Sequence, residues 1–199
     1  MACTALHILI AEKYCEKHKV ENPLIYLDGA ILPDIQKDKV ASHFGKDIKP
    51  MSVKEALDAK VDIKTCAKTL DFEKDVDKAL FLHLLTDYVY YNFLYQGIID
   101  GTPLKVILSD IENDSGVMTK QIQNTHAYTL PNEISYLLNE KENCGEYRLF
   151  NGDKFDAFVN LISSFDLKQV KKEILKNPSN FLELCLKTLE KNEPNDSLE

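Results

Sequence analysis

The longest uninterrupted helical pattern in the chain runs from Phe72 to Gly97, 26 residues without a proline. Acidic residues lie near its start, where they complement the positive end of a helix dipole, and apolar residues fill its centre. From Ala79 to Leu85 the residues are apolar on nearly every face. A helix of this kind has to be covered on all sides. The pattern therefore predicts a central helix with other helices packed around it.

The composition agrees with a helical fold. Only 7 Gly and 7 Pro occur in 199 residues, fewer than turn-rich β-sandwiches use. Hydrophobic residues make up 44% and charged residues 28%, as in ordinary globular proteins. Since a typical domain has about 150 residues, we expect an all-α, multi-helix bundle in which residues 1–191 form a single helical domain. Residues 192–199 are expected to be a polar, frayed tail.

Further helices are predicted around the central one. The first begins after Thr4, which we expect to cap it, and ends near His18. Ser52 or Asp58 is expected to bound a short helix. Three more are predicted over 104–113, 131–139 and 178–191, and helical spacing continues over 155–174 with an interruption near Asp166.

Other stretches are predicted to lack a long helix. Residues 24–34 are apolar but contain Gly29 and Pro33, so we interpret them as a short buried segment. Residues 35–48 are expected to be a polar connection, and residues 140–145 a loop. Asp114, Ser115 and Gly116 are expected to break the helical pattern before a further segment that ends near Tyr128.

Charge and motifs exclude several classes of function. The 24 basic and 32 acidic residues give a net charge of −8, which argues against a broad nucleic-acid-binding surface. No glycine-rich nucleotide-binding fingerprint occurs. No apolar run reaches about 18 residues, so no transmembrane segment is predicted. The 5 cysteines form no C-x-x-C pair, and Glu12 and Lys13 interrupt any signal-like core, so we expect a cytoplasmic protein.

Several polar residues stand at positions that should be buried. His7 lies within an apolar run, and Asp34 closes another. His83 and Asp87 are four residues apart on the central helix, so their side chains share one face. Imidazole and carboxylate groups together suit zinc and other first-row divalent ions. The set suggests a metal centre, because buried polar groups need partners.

Each of these residues also has a simpler interpretation. A single buried histidine is more often a hydrogen-bonded core residue, and a His and Asp four apart often form only a helix-face hydrogen bond. His43, within Ser42-His43-Phe44, is compatible with a plain turn. The tyrosines that follow Asp87 either line a pocket or pack in the core, and core packing is the more common use of aromatic residues. These are Tyr88, Tyr90, Tyr91 and Tyr95.

The order of these motifs resembles the zinc-dependent phospholipase C family, which is related in fold to the P1-type nucleases. The resemblance covers residues 4–97. It rests on His7 with Ile10-Ala11 one turn on, Gly29-Ala30-Ile31-Leu32-Pro33-Asp34, Ser42-His43-Phe44, and Phe81-Leu82-His83-Leu84-Leu85-Thr86-Asp87-Tyr88. It implies an all-α bundle of the phospholipase C / P1 nuclease type that holds metal ions between helices and hydrolyses phosphate esters.

The resemblance also implies a ligand set. One Zn²⁺ would be bound by Asp34, His43, His83 and Asp87, and Asp87 would bridge to a second ion beside His7. The chain departs from the family in two places. It has no tryptophan, whose N-terminal amine serves the secreted members as a ligand. The histidines and glutamate of a third site are also missing, since Asn92-Phe93 and Leu130 stand near the matching positions.

Two functions follow as hypotheses. The first is a metal-dependent phosphoester hydrolase, in which one or two divalent ions activate water and Asp34 or Asp87 acts as the catalytic proton acceptor. Its partner would be a small phosphoester or a phospholipid headgroup. The second is a non-catalytic helical protein that uses the metal or the ligand cage for stability or partner binding. Four protein ligands already complete a tetrahedral structural site, so both hypotheses stay open.

Overall fold

A computed structural model describes residues 2–139 and 144–191, and every regular element in these ranges is a helix. Short 3₁₀ turns occur at Ser135–Leu138 and Gly152–Lys154. The α-helices are α1 (Thr4–His18), α2 (Pro23–Ile35), α3 (Lys39–Ser42), α4 (Val53–Asp58), α5 (Ile63–Thr69), α6 (Asp75–Gln96), α7 (Leu104–Gln123), α8 (Phe155–Ser163), α9 (Leu167–Lys176) and α10 (Pro178–Lys191). The all-α prediction is confirmed for the described residues.

Helix α6 is the centre of the packing, as its sequence predicts. It contacts α1, α2, α4, α5, α8, α9 and α10. Leu84, Leu85, Val89 and Leu94 on this helix have no exposed surface. Their burial removes several large apolar side chains from water, at about 1.5–3 kcal/mol each relative to full exposure. The helix is therefore held rigidly, together with the polar residues it carries.

Helix α2 packs closely against α6 at Gly29. At Gly29 a Cβ atom would lie 2.4 Å from the Cβ of Ala79 and 2.9 Å from its carbonyl carbon. Since real Cβ atoms do not approach so closely, only glycine lets α2 lie against α6 here. This contact brings the last turn of α2, with Asp34, beside the middle of α6.

Two predictions about the first 50 residues are wrong in detail. Residues 24–34 are most of helix α2 rather than a short segment, because the Asn22 side chain caps its start and Pro33 comes only in its last turn, so the proline removes one helical hydrogen bond just before the helix ends. Thr4 is the first residue of α1 rather than its cap, because its hydroxyl donates to Asp34 instead. The polar connection after α2 contains α3, which Asp38 caps.

The predicted break at 114–116 is also wrong. Helix α7 continues through these residues, and the Asp114 side chain is used for a tertiary contact instead of a turn. Its carboxylate accepts hydrogen bonds from the backbone N–H groups of Arg148, Leu149 and Phe150 at 2.7–2.8 Å. In the 131–139 stretch only the 3₁₀ turn forms, rather than the helix that Pro131 predicts.

Other boundaries agree with the sequence. Ser52 caps α4, Asp166 caps α9 after the predicted interruption, and Pro178 begins α10. The predicted tail 192–199 and residues 140–143 of the predicted loop lie outside the described residues. Among the described helices, none is both long enough and apolar enough to cross a bilayer.

Candidate metal centre

The side chains that the sequence singles out converge in one buried cluster. α1 supplies His7, the last turn of α2 supplies Asp34, the residue after α3 is His43, and α6 supplies His83 and Asp87. All are at most 2% exposed. The side chains form two groups of three, and within each group the atoms that could bind a metal lie within 4.8 Å of one another. One group is His7, His83 and Asp87, and the other is Asp34, His43 and His83. We call these five residues the centre.

Helix α2 fixes the orientation of the His83 ring. Nδ1 of His83 donates to the carbonyl oxygen of Ala30 at 2.8 Å. A carbonyl oxygen only accepts hydrogen bonds, so the ring proton is on Nδ1. Burial, followed by the nearby His7, lowers the pKa of His83 to about 3. The neutral ring therefore presents an Nε2 lone pair to the interior of the centre.

The loop after α3 orients His43 in the same way. Its Nδ1 lies 3.0 Å from the carbonyl oxygen of Lys39 and 2.9 Å from the hydroxyl of Ser42, whose own O–H donates to Pro33. Phe44 has a φ of 52°, so the chain turns sharply directly after the histidine. Burial lowers the pKa of His43, although Asp87 and Asp34 oppose this. Nε2 of His43 is then also an acceptor.

Four acceptor atoms consequently face one another. They are Nε2 of His43, Nε2 of His83, Oδ1 of Asp34 and Oδ2 of Asp87. The two Nε2 atoms are 3.4 Å apart, and each lies between 3.5 and 3.9 Å from the two carboxylate oxygens. Both oxygens are buried without a hydrogen-bond partner among the described residues. Buried acceptors that meet without a proton between them repel, and a cation placed between them would remove that repulsion, so these residues could hold one.

The spacing fits a small divalent ion. Ligand atoms about 2.0–2.2 Å from a tetrahedral Zn²⁺ lie about 3.3–3.6 Å from one another. The observed separations of 3.4–3.9 Å between the two Nε2 atoms, and between each Nε2 atom and the two carboxylate oxygens, are close to that range. Two imidazoles and two carboxylates are also a usual donor set for such an ion, and the two carboxylates match its charge.

Each carboxylate has one oxygen in the four-atom set and one outside it. The outer oxygen of Asp34, Oδ2, accepts from the Thr4 hydroxyl at 2.7 Å. The outer oxygen of Asp87, Oδ1, accepts from the backbone N–H of Ala2 at 2.8 Å. Such hydrogen bonds hold metal-ligating carboxylates in position. Neither Thr4 nor Ala2 is suggested by the sequence, since the acceptors lie 30 and 85 residues away.

His7 lies on the other side of Asp87. Its ring stacks on that of His83 with centroids 3.6 Å apart, and its Nε2 is 3.5 Å from Oδ1 of Asp87. Neither ring nitrogen of His7 has a hydrogen-bond partner among the described residues. Asp87 thus lies between His7 and the four-atom set. Burial raises the pKa of Asp87, but the interactions with His7 and His83 outweigh it, and the net pKa is lowered.

Two cavities reach the centre. A cavity of about 770 Å³ is bounded by Asp34, and one of about 460 Å³ is bounded by His43. His7, His83 and Asp87 line neither cavity. Asp34 and His43 are therefore the residues through which a small molecule would approach.

The tyrosines after Asp87 have different surroundings. Tyr90 is packed against the rings of Phe150 and Phe158, which is ordinary core packing. Tyr88 is half-buried, with its hydroxyl 3.4 Å from a backbone carbonyl. Tyr91 is buried as well but lines both cavities. Its position four residues after Asp87, on the same helix face, is the sequence signal that indicates this.

Comparison with known proteins adds no relative: protein-family models, curated proteins and solved structures yield no match to this chain.

Proposed function

We propose that the protein is a metal-dependent phosphoester hydrolase of the phospholipase C-like type, with Zn²⁺ held by Asp34, His43, His83 and Asp87. The supporting observation is the convergence of four buried acceptor atoms, two of them without any hydrogen-bond partner. A bundle that needed these residues only for packing would have apolar side chains there, because unpaired polar groups are costly to bury.

The proposed reaction is hydrolysis of an ester P–O bond by water. A divalent ion bound here supplies Lewis acidity, which polarises a phosphoryl oxygen and brings the pKa of a water molecule to about 7. Asp34 borders the larger cavity and is the better placed of the two carboxylates to accept the proton of that water. Thr4 keeps the Asp34 carboxylate oriented, and the backbone bonds of His43 and His83 keep both rings oriented.

A second ion beside His7 is part of the proposal. Oδ1 of Asp87 points toward Nε2 of His7, while Oδ2 points toward His43 and His83. A carboxylate with its oxygens divided in this way is suited to bridging two cations. The unpartnered ring nitrogens of His7 favour the same interpretation.

Metal analysis combined with an activity assay tests the proposal. The chain, purified without chelator and supplied with zinc, is expected to contain zinc and to hydrolyse bis(p-nitrophenyl) phosphate. Asp34→Asn should abolish turnover. Asp110→Asn is the matched control, because Asp110 pairs with Arg148 at the surface, away from the centre. Failure to bind zinc would overturn the proposal, as would equal activity in the two variants.

A closed structural site is the second candidate. It is favoured by the number of ligands, since four protein donors complete a tetrahedral shell, whereas a catalytic site keeps one position for water. The near-complete burial of all four residues is consistent with it. In this case the zinc-loaded chain would melt at a higher temperature than the stripped chain but would hydrolyse no ester.

A further inference from the structure

The two cavities beside the centre have a common boundary. The residues that line both of them, which we call the shared wall, are Lys39, Lys60, Tyr91 and Leu108. Asp34 lies on the larger cavity and His43 on the smaller one. The shared wall therefore lies where a substrate that reaches the centre from either cavity would be held.

Tyr91 is an unusual component of this wall. Its side chain is 2% exposed, and its hydroxyl has no hydrogen-bond partner among the described residues. A buried hydroxyl without a partner is unfavourable, and such groups call for an explanation. Since Tyr91 lines both cavities, this unpartnered hydroxyl belongs to a residue at their common boundary.

The wall is also positively charged. The Lys39 ammonium donates to the backbone carbonyls of Pro33 and Asp34, which fixes it beside the centre. Lys60 is exposed, and in the described part of the chain its ammonium makes no ion pair or hydrogen bond. Lys37 borders the larger cavity as well. Each cavity is lined by three lysines and, outside the centre, by one carboxylate, and this excess of positive charge favours anions over cations.

The apolar part of the boundary lies on α7. Leu108 belongs to the shared wall, and Ile111 lines the larger cavity one turn further on. Residues three apart on a helix share a face, so together they form an apolar surface beside the lysines. The cleft thus offers cationic and hydroxyl donors to one part of a ligand and apolar contact to another.

We propose that the shared wall binds an anionic phosphate ester, with Tyr91 and Lys60 donating to its phosphoryl oxygens and Leu108 packing against its apolar group. This deepens the proposed hydrolase function and rests on it. The lysines disfavour esters with a quaternary ammonium headgroup, so phosphocholine esters are poor ligands. Tyr91 and Lys60 are binding residues in this proposal, and neither is a ligand of the metal.

Calorimetric titration of the zinc-supplemented full chain tests the proposal, with phenyl phosphate, phosphocholine and inorganic phosphate as probes. Phenyl phosphate should bind more tightly than the other two. Tyr91→Phe and Lys60→Ala should each weaken its binding about tenfold or more, the loss of one charge-assisted or buried hydrogen bond. The controls are Tyr90→Phe, in the core, and Lys120→Ala, which is exposed on α7 and lines neither cavity; both should bind as the unchanged protein does.

The outcomes separate this proposal from the function on which it rests. Zinc content is measured in every variant and should stay unchanged. Selective loss of phenyl phosphate binding in the two wall variants supports the inference, even if the chain hydrolyses nothing and the hydrolase proposal fails. Equal binding in wall and control variants, or phosphocholine binding as tight as that of phenyl phosphate, overturns the inference while hydrolysis of other esters stays intact.

Discussion

In the part of the chain that the structure describes, carboxylates are buried in two places, and their surroundings are opposite. Asp114 on α7 has no exposed surface, and it accepts backbone N–H groups from Arg148, Leu149 and Phe150. Asp87 on α6 is equally buried, but one of its oxygens faces two histidine nitrogens and has no hydrogen-bond partner. Asp114 is satisfied within the chain, whereas Asp87 is not.

This difference distinguishes buried carboxylates that stabilise the fold from buried carboxylates that are suited to binding a ligand. A buried carboxylate that receives several N–H donors ties elements together and needs nothing further. A buried carboxylate that faces other acceptors is stable only if something positive joins it. Burial alone therefore does not identify a binding site, but the balance of donors and acceptors does.

The largest effect is expected at Asp114. Asp114→Asn replaces one acceptor oxygen by an amide that cannot accept, so it leaves buried N–H groups without partners. We expect a loss of roughly 3 kcal/mol in the free energy of unfolding, since each orphaned buried group costs about 1–3 kcal/mol. Urea denaturation of zinc-loaded and chelator-treated protein measures it. The loss should be the same in the zinc-loaded and the chelator-treated protein. A loss that appears only with zinc would mean that Asp114, like Asp87, depends on the metal.

The loss of stability caused by Asp87→Asn should, in contrast, depend on zinc. The zinc-loaded protein is expected to lose its metal-dependent stabilisation, which is about 2.7 kcal/mol when free zinc is 100 times its dissociation constant. The chelator-treated protein should lose less, because it has no metal-dependent stabilisation to lose. Thermal melts with and without zinc measure both values. A variant that responds to zinc as fully as the original chain would contradict this prediction.

Gly29→Ala tests whether the close contact of α2 with α6 holds the centre together. The added Cβ would overlap Ala79, so α2 must move away, which we expect to cost about 1–3 kcal/mol as in other overpacked cores. Zinc affinity should fall too, since Asp34 moves with α2. The double variant Gly29→Ala with Ala79→Gly should recover part of both losses. If the single variant keeps normal zinc affinity, the contact does not position Asp34.

The smallest effect is a pH dependence of the chelator-treated protein. The pKa of His83 is about 3 in the folded chain and near 6.5 when unfolded, so the unfolded state binds more protons between these values. The stability that the neutral His83 contributes is fully present above pH 6.5 and is lost as the pH falls toward 3. From pH 7 to pH 6 the expected loss is about 0.7 kcal/mol for this one group. His83→Gln should flatten the dependence measured by urea denaturation, and an unchanged slope would count against a neutral, buried His83.

The sequence predicts the central helix and several boundaries because these depend on local patterns. Asp166 and Ser52 have the spacing of helix caps, and the apolar run in α6 indicates its burial. The break expected at residues 114–116 is wrong because Asp114 is bonded to residues more than 30 positions away, which no local pattern reveals. Thr4 differs from its predicted role as a cap for the same reason, because its hydroxyl is bonded to Asp34, 30 positions away.

The residues of the candidate site are easier to predict from the sequence than the loops are. His7, Asp34 and His83 stand out as polar residues in apolar runs, and the structure does bring them together. Their orientation could not be predicted, because the bonds from His83 to Ala30 and from His43 to Lys39 depend on tertiary contacts and on a turn. Tyr91 is distinguished in the sequence only by its position four residues after Asp87, since Tyr90 beside it is an ordinary core residue.

The binding of a cation at the centre is tested most directly by the number of zinc ions bound per chain. Equilibrium dialysis measures this number for the chelator-stripped full chain and for the variants Asp87→Asn and Asp114→Asn. The original chain and Asp114→Asn should each bind at least about one Zn²⁺ per chain, and Asp87→Asn should bind far less. Equal zinc uptake by all three proteins, or none by the original chain, would contradict a cation at the meeting point of α2, α6 and the loop after α3.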